Sequence, residues 1–175
     1  MKSFSTIVGV RKQVPQLAGT VRDRLPEIAP TLADVSSIVA ADRTQCSDGC
    51  THLINEWRVD LKLPGPVREA ISEDMLGWND HAVWSADLTE CTWRIEPFFM
   101  PGAIRCSGTT RFEAAMGNRG TKAIFIGEFD VDADALSQIQ PAWRSAAVSA
   151  VELVVGTMIP RNFRKTIEAA AELID

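Results

Sequence analysis

The chain of 175 residues has no tyrosine, two histidines and four cysteines. Few side chains can then move a proton near neutral pH, and any nucleophile–base pair would have to be built around His52 or His81. No Gly-x-Ser-x-Gly elbow, Walker loop or dinucleotide fingerprint occurs, which removes the common hydrolase, nucleotide and nicotinamide signatures. No apolar run reaches the roughly eighteen residues of a membrane span, so no transmembrane segment is expected. Met1 to Val10 lacks a continuous apolar core and a small-residue cleavage site. No signal peptide is read there, and the cytoplasm is the expected compartment. In a reducing compartment the cysteines are expected to stay thiols. Basic charge is also scarce. With 18 Lys and Arg against 23 Asp and Glu, the net charge is −5. That argues against nucleic acid as a partner, because phosphate affinity rests on clustered cations. The five bases of residues 1–24 (Lys2, Arg11, Lys12, Arg22, Arg24) face one acid, Asp23, and read as a solvated face.

What is present is a soluble-type composition, long enough for one domain over residues 1–175 with a real core. Its organising stretch runs from Gln140 to Asp175. Trp143, Ala147, Val151, Val154, Val155 and Met158 recur at steps of three and four, the stripe of an amphipathic helix. Pro141 suits its first turn, and Pro160 predicts a kink by removing a donor and crowding the previous turn. Upstream lie strands. Ser3–Val10 is the first, followed by a helix over Lys12–Ile28 that Pro26 and Pro30 break into a second short turn. Val35–Thr44 and Thr51–Leu63 flank the hairpin turn Ser47-Asp48-Gly49. Leu53, Asn55, Trp57, Val59, Leu61 and Leu63 share the apolar phase of the second of these. Val67–Leu76 has helical spacing. Strands return at His81–Thr89, Thr92–Phe99, Ala103–Ala115 and Thr121–Val131, with a turn expected at Glu90-Cys91. A sheet with one dry face needs a cover, and the long helix supplies it.

This order of strand, helical hairpin, six strands and long helix resembles the helix-grip superfamily (SRPBCC). That superfamily includes START lipid-transfer domains, the birch-pollen allergen and polyketide cyclase/dehydrase-like proteins. Leu63-Pro64-Gly65-Pro66-Val67-Arg68 with its short helix, then His81-Ala82-Val83-Trp84-Ser85 and Trp93-Arg94-Ile95-Glu96-Pro97, are similar to the branch with an inserted helix, as in PRELI-type lipid-transfer proteins. The resemblance implies an α+β fold, a curved antiparallel sheet of about seven strands wrapped on a long C-terminal helix. It also implies a hydrophobic cavity under that helix. It implies no catalytic residue, since the superfamily shares none.

Cys46, Cys50 and His52 gather at one turn. A zinc site usually wants four ligands, and a second pair would have to come from Cys91, Cys106 or His81, distant in sequence. No metal site and no cofactor are therefore expected. A Cys46–Cys50 disulfide after air oxidation is conceivable. Asp130 to Asp134 mimics a calcium loop but lacks its glycine and its bidentate glutamate, and reads as a helix entry. Trp57, Trp84, Trp93, Phe112, Phe125 and Phe129 all fall on apolar phases, each with about 150–250 Å² to bury. Any one of them suits a solid core; together they suit a pocket wall. Asn55 and Thr110 are polar residues on the same phases. The expected ligand-binding set is these eight with Val151, Val155 and Met158. The favoured function is a carrier or sensor of a hydrophobic small molecule or lipid. The alternative is a cyclase or dehydratase acting on an aromatic or polyketide-like substrate in the same cavity. An interaction module with a filled core is a third class. A titratable group buried in the cavity would favour the enzyme. The inward phases assigned here contain no Asp, Glu, His or Arg. A homodimer is left open.

Overall fold

The computed structural model describes residues 1–63, 65–137 and 139–175, without the side chains of Pro66, Val67 and Ala70. Seven strands form one antiparallel sheet: β1 (Lys2–Val10), β2 (Val35–Gln45), β3 (Thr51–Val59), β4 (Gly77–Trp84), β5 (Glu90–Pro97), β6 (Ile104–Ala115) and β7 (Gly120–Val131). Their order across the sheet is β1-β7-β6-β5-β4-β3-β2. Each strand after β2 pairs with its predecessor, and β1 returns to close on β7, opposite the end where β2 lies. β2 carries two irregularities, between Val35 and Ser37 and between Ala40 and Asp42, which bend an edge strand as bulges do.

Helix α1 (Val14–Ile28) spans the gap between β1 and β2. Pro26 lies inside it and cannot donate to the Arg22 carbonyl. The strain is released at Arg24, whose backbone leaves the helical region (φ −121°, ψ 19°). The predicted break is thus a kink within one helix, followed by a short 3₁₀ turn over Ala29–Thr31. Between β3 and β4 sit α2 (Gly65–Ala70) and a 3₁₀ turn over Glu73–Met75. The expected ten-residue helix is therefore two short pieces. Pro64, expected to end β3, lies outside the described residues; β3 itself stops at Val59.

The C-terminal run begins after α3 (Ala133–Ser137) as α4 (Pro141–Leu153) and finishes as α5 (Ile159–Glu172). Between them Val154–Met158 forms a π-helical turn, with the Ile159 amide donating to the Val154 carbonyl. The kink expected from Pro160 takes this form. A wider turn accommodates a residue that has no N–H and would collide with the carbonyl four positions back. By length and mean hydropathy (1.3) this run would suit a membrane span. Here α5 packs instead on α1, β1 and β7, and α4 on α2. Leu17, Ile28 and Ile167 are fully buried. At about 1.5–3 kcal/mol for each such side chain, these three hold α1 and α5 to the sheet. The result is a helix-grip architecture: a curved sheet closed on its inner face by two helices.

Candidate ligand-binding cavity

The inner face can be read off the strand register. Asn55 of β3 lies opposite Asp80 of β4, Trp57 opposite Trp78, and Thr51 opposite Trp84. On β4 and β5, Trp84 faces Cys91, Ala82 faces Trp93 and Asp80 faces Ile95. On β6 and β7, Thr110 faces Phe125 and Gly108 faces Gly127. Side chains two apart on a strand share a face, so these rows make one continuous wall. Val21, Arg22 and Leu25 of α1 and Ile159, Asn162, Phe163 and Thr166 of α5 close it. The chamber has a volume of about 120 Å³. A second chamber of about 90 Å³ lies under α4, lined by Ile71, Met75, Ala147, Val151 and Val155 among others. Trp78, Ile95 and Ile159 line both chambers and form the wall between them.

The aromatic groups stack in three sets. Trp57 and Trp78 lie 5.6 Å apart and nearly parallel. Trp84 and Phe112 lie 5.7 Å apart. Trp93, Phe125 and Phe163 form a ladder with centroid separations of 4.8 and 4.4 Å, carrying the wall from β5 to α5. Glycine makes that ladder possible. A Cβ on Gly127 would stand 2.6 Å from the Trp93 ring and 2.5 Å from Phe4, and one on Gly108 would stand 2.4 Å from Trp93. Without those carbons the indole lies flat along the sheet.

Among the described residues, four buried side-chain polar atoms have no hydrogen-bond partner within the protein: Trp57 Nε1, Trp93 Nε1, Asn162 Nδ2 and Thr166 Oγ1. All four residues line the first chamber. Leaving such a group unmatched costs about 1–3 kcal/mol each, so their gathering around one space marks it as built for polar contacts. Three of the four are N–H donors.

Asp80 is the other polar feature. Burial raises its carboxyl from the ordinary 3.8 to about 6, against the opposing pull of the Asn55 side chain that bonds it and of nearby His81. By surface area Asp80 is only half-buried, although protein surrounds it densely; the surface it keeps belongs to the chamber wall. His81 itself points the other way, with Nε2 2.8 Å from Glu96 Oε2. Arg22 is the one cation among the described lining residues. It is held by Asp23 at 2.8 Å, which also binds Arg43 at 2.8 Å. The Arg22 hydrogen bond in turn keeps the Asp23 carboxyl below its ordinary range. Burial pushes the Cys91 thiol well up and the Cys106 thiol to about 12, so neither is a ready nucleophile.

Of the residues expected to bind ligand, Asn55, Trp57, Trp84, Trp93, Thr110, Phe112 and Phe125 meet around the first chamber. Val151 and Val155 line the second. Phe129 and Met158 are buried at 6% and 3% exposure and line neither. The expectation that no Asp, Glu, His or Arg lies on the inward strand phases is overturned by Asp80. Its strand begins at Gly77, not His81, so Trp78, Asp80, Ala82 and Trp84 alternate on the inner face. That alternation was the available signal. The sequence pattern starts this strand at His81, which leaves Asp80 outside it, and carries it through the Ser85–Thr89 segment. Asp87 instead folds it into a turn, accepting from Ser85 Oγ at 2.8 Å and Thr89 Oγ1 at 2.7 Å, while Glu90 and Cys91 open β5. Asn162, Phe163 and Thr166 were missed because the helical stripe had been followed only as far as Met158. The acidic stretch at Asp130 is a helix entry, with Asp132 Oδ1 capping the Asp134 amide at 2.9 Å.

The fold and the cavity together define a helix-grip protein with a hydrophobic chamber between sheet and C-terminal helix. Solved structures of the same fold agree. Zhui aromatase/cyclase from Streptomyces sp. R1128 aligns over 99% of this chain and 96% of its own, with TM-score 0.65 and 13% identity. Norcoclaurine synthase from Thalictrum flavum aligns over 99% and 86%, with TM-score 0.56 and 10% identity. The di-domain ARO/CYC BexL from the BE-7585A biosynthetic pathway aligns over 97% of this chain and 49% of its own, with TM-score 0.55 and 17% identity. No family model matches the sequence, and no curated protein matches it by sequence.

Proposed function

We propose that the chain binds a ring-containing, oxygen-bearing small molecule in the first chamber and moves a proton on it through Asp80. The observation that carries this reading is Asp80 itself, a lone carboxyl set among indole walls, oriented by Asn55 and raised to about 6 by burial. At neutral pH it is mostly ionised and close to the range best suited to general-base catalysis. A proton taken from carbon beside a carbonyl leaves negative charge on the carbonyl oxygen. The unpartnered N–H groups of Trp57, Trp93 and Asn162 are donors for that oxygen. Base and donors together are what ring closure and dehydration of a carbonyl compound require. The aromatase/cyclases of similar fold are named for ring-forming chemistry of this class.

Size narrows the substrate. An engineered cavity of about 150 Å³ accepts a benzene ring. The first chamber, at about 120 Å³, suits one substituted ring. A second ring or a chain has to pass Trp78, Ile95 and Ile159 into the second chamber. A long-chain lipid therefore fits less well than a compact aromatic compound. The mainly apolar lining keeps a carrier of the same molecule as the second reading.

The test uses hydroxylated aromatic ketones of one and two rings. Tryptophan fluorescence and native mass spectrometry report binding. NMR in D₂O reports exchange of the proton beside the carbonyl. The expected result is binding with exchange, the exchange slowed by about 100-fold or more in Asp80→Asn while binding persists. Binding without exchange makes the protein a carrier. Exchange unchanged in Asp80→Asn removes the assigned role.

A further inference from the structure

The tip of the β2–β3 hairpin lies outside the cavity wall, and its chemistry is independent of the function proposed above. The geometry points to a zinc site there, with Cys46, Cys50 and His52 as protein ligands and one coordination position left for water. Their donor atoms all lie within 4.8 Å of one another. In a tetrahedral site with Zn–S of about 2.3 Å and Zn–N of about 2.0 Å, donors stand about 3.5–3.8 Å apart. Each pair of side chains thus needs to close by about 1.3 Å at most, within reach of small rotamer changes.

The backbone places them. The Cys46 amide donates to the Cys50 carbonyl at 2.9 Å, and the Gly49 amide donates back to the Cys46 carbonyl at 3.1 Å. Gly49 takes φ +86°, which lets the turn close tightly enough to set the two cysteines side by side. Asp48 Oδ1 accepts the Cys50 amide at 3.1 Å and stiffens the loop. His52 follows Cys50 by two positions and so projects from the same face.

Ligand type selects the ion. Two thiolates and an imidazole are soft and borderline donors, suited to Zn²⁺ and poorly suited to Mg²⁺ or Ca²⁺. The Asp48 carboxylate beside the site adds negative charge that favours a cation. Cys46 and Cys50 are half-buried and His52 is exposed, so the ion has a path in. Cys91 and Cys106, at 4% and 2% exposure, are buried elsewhere and do not compete. Sequence spacing alone offers no fourth protein ligand nearby. Three ligands with an open position are also a known zinc arrangement. Because the ion binds the closed hairpin and not the unfolded chain in this geometry, it ties the free end of β2 to β3.

The test is a titration of the reduced, chelator-treated full chain with Co²⁺ as a zinc probe. The expected result is a thiolate-to-cobalt charge-transfer band with the intense visible bands of a tetrahedral ion, saturating at one equivalent and bleached by Zn²⁺. Cys46→Ser and Cys50→Ser should each weaken the charge-transfer band and lower affinity, and His52→Ala should lower it by about tenfold or more, the scale that even outer-shell partners command. Far-ultraviolet circular dichroism shows that the variants fold. Zn²⁺ should raise the melting temperature of the parent chain and not of Cys50→Ser. The site is overturned by a spectrum with no thiolate band, or by a band that survives in both cysteine variants.

Discussion

Replacing Asp80 with asparagine should stabilise the protein at neutral pH and do little in acid. Burial raises the Asp80 carboxyl from 3.8 to about 6. The folded state therefore holds a proton that the unfolded chain has already released between these two values. Stability falls with rising pH wherever the folded state binds more protons. Below the lower value both states are protonated and nothing is lost. Above about 6 the full penalty of a buried charge is present. At about 1.4 kcal/mol per pH unit, that penalty is about 3 kcal/mol. Asparagine is close in shape, can still accept from the Asn55 side chain through its carbonyl, and never ionises. Urea unfolding from about pH 4 to about pH 8 measures the difference between variant and parent, in which all other titrating groups cancel. The gap should open between the two pKa values and level off near 3 kcal/mol, a midpoint shift of about 1–2 M urea at ordinary m-values. A gap that is constant across the range would refute the buried charge. A parent more stable than the variant at pH 8 would reverse the sign and sink the reasoning.

Asn162→Leu removes a buried amide whose Nδ2 has no partner within the protein. It should stabilise the empty protein by about 1–2 kcal/mol in thermal or urea unfolding and weaken binding of an oxygen-bearing ring. Destabilisation would mean that the amide is satisfied. Gly127→Ala places a methyl carbon against the Trp93 and Phe4 rings, which are side-chain atoms and not backbone. The expected cost is about 1–3 kcal/mol, with Trp93 pushed into the chamber and ring binding reduced; unchanged binding would show that Trp93 does not limit the space. In hydrogen–deuterium exchange, the segment 65–76 should open faster than α5, since α2 has six residues and cannot hold itself together in water. It should slow when a ligand reaches the second chamber, which Ile71, Met75 and Leu76 line. Equal protection in both regions would refute the idea that this segment opens to admit a ligand.

The strands that alternate cleanly were legible in the sequence. Thr51–Val59, Ile104–Ala115 and Gly120–Val131 lie within a few residues of expectation because each has one wet and one dry face. So does the C-terminal run, because two turns of stripe identify a helix. The frame fails at β4, where Asp80 interrupts the apolar inner face. Asp80 breaks the hydrophobic pattern that would have revealed its strand, so the pattern was sought after it. The inner polar positions of α5 were hidden for the same reason: Asn162 and Thr166 interrupt the stripe that defines a buried helix face. The donor set at the hairpin was visible as residues, but only the register of β2 against β3 shows that their atoms converge.

The π turn at Val154–Met158 has a consequence for how this binding space can change. One extra residue in a turn offsets the angular phase of everything on one side of it relative to the other. Asn162, Phe163 and Thr166 face the first chamber from α5, Ala147, Val151 and Val155 face the second from α4 and the π turn, and Ile159 between them touches both. The two halves of one continuous rod thus address two compartments with separately set orientations. Deleting a single residue from that turn would rotate α4 by about 100° against α5, since an α-helix has 3.6 residues per turn. Leu153, now 54% exposed, could then swing toward the sheet. Such a change would remodel the second chamber and leave the aromatic ladder and Asp80 where they are.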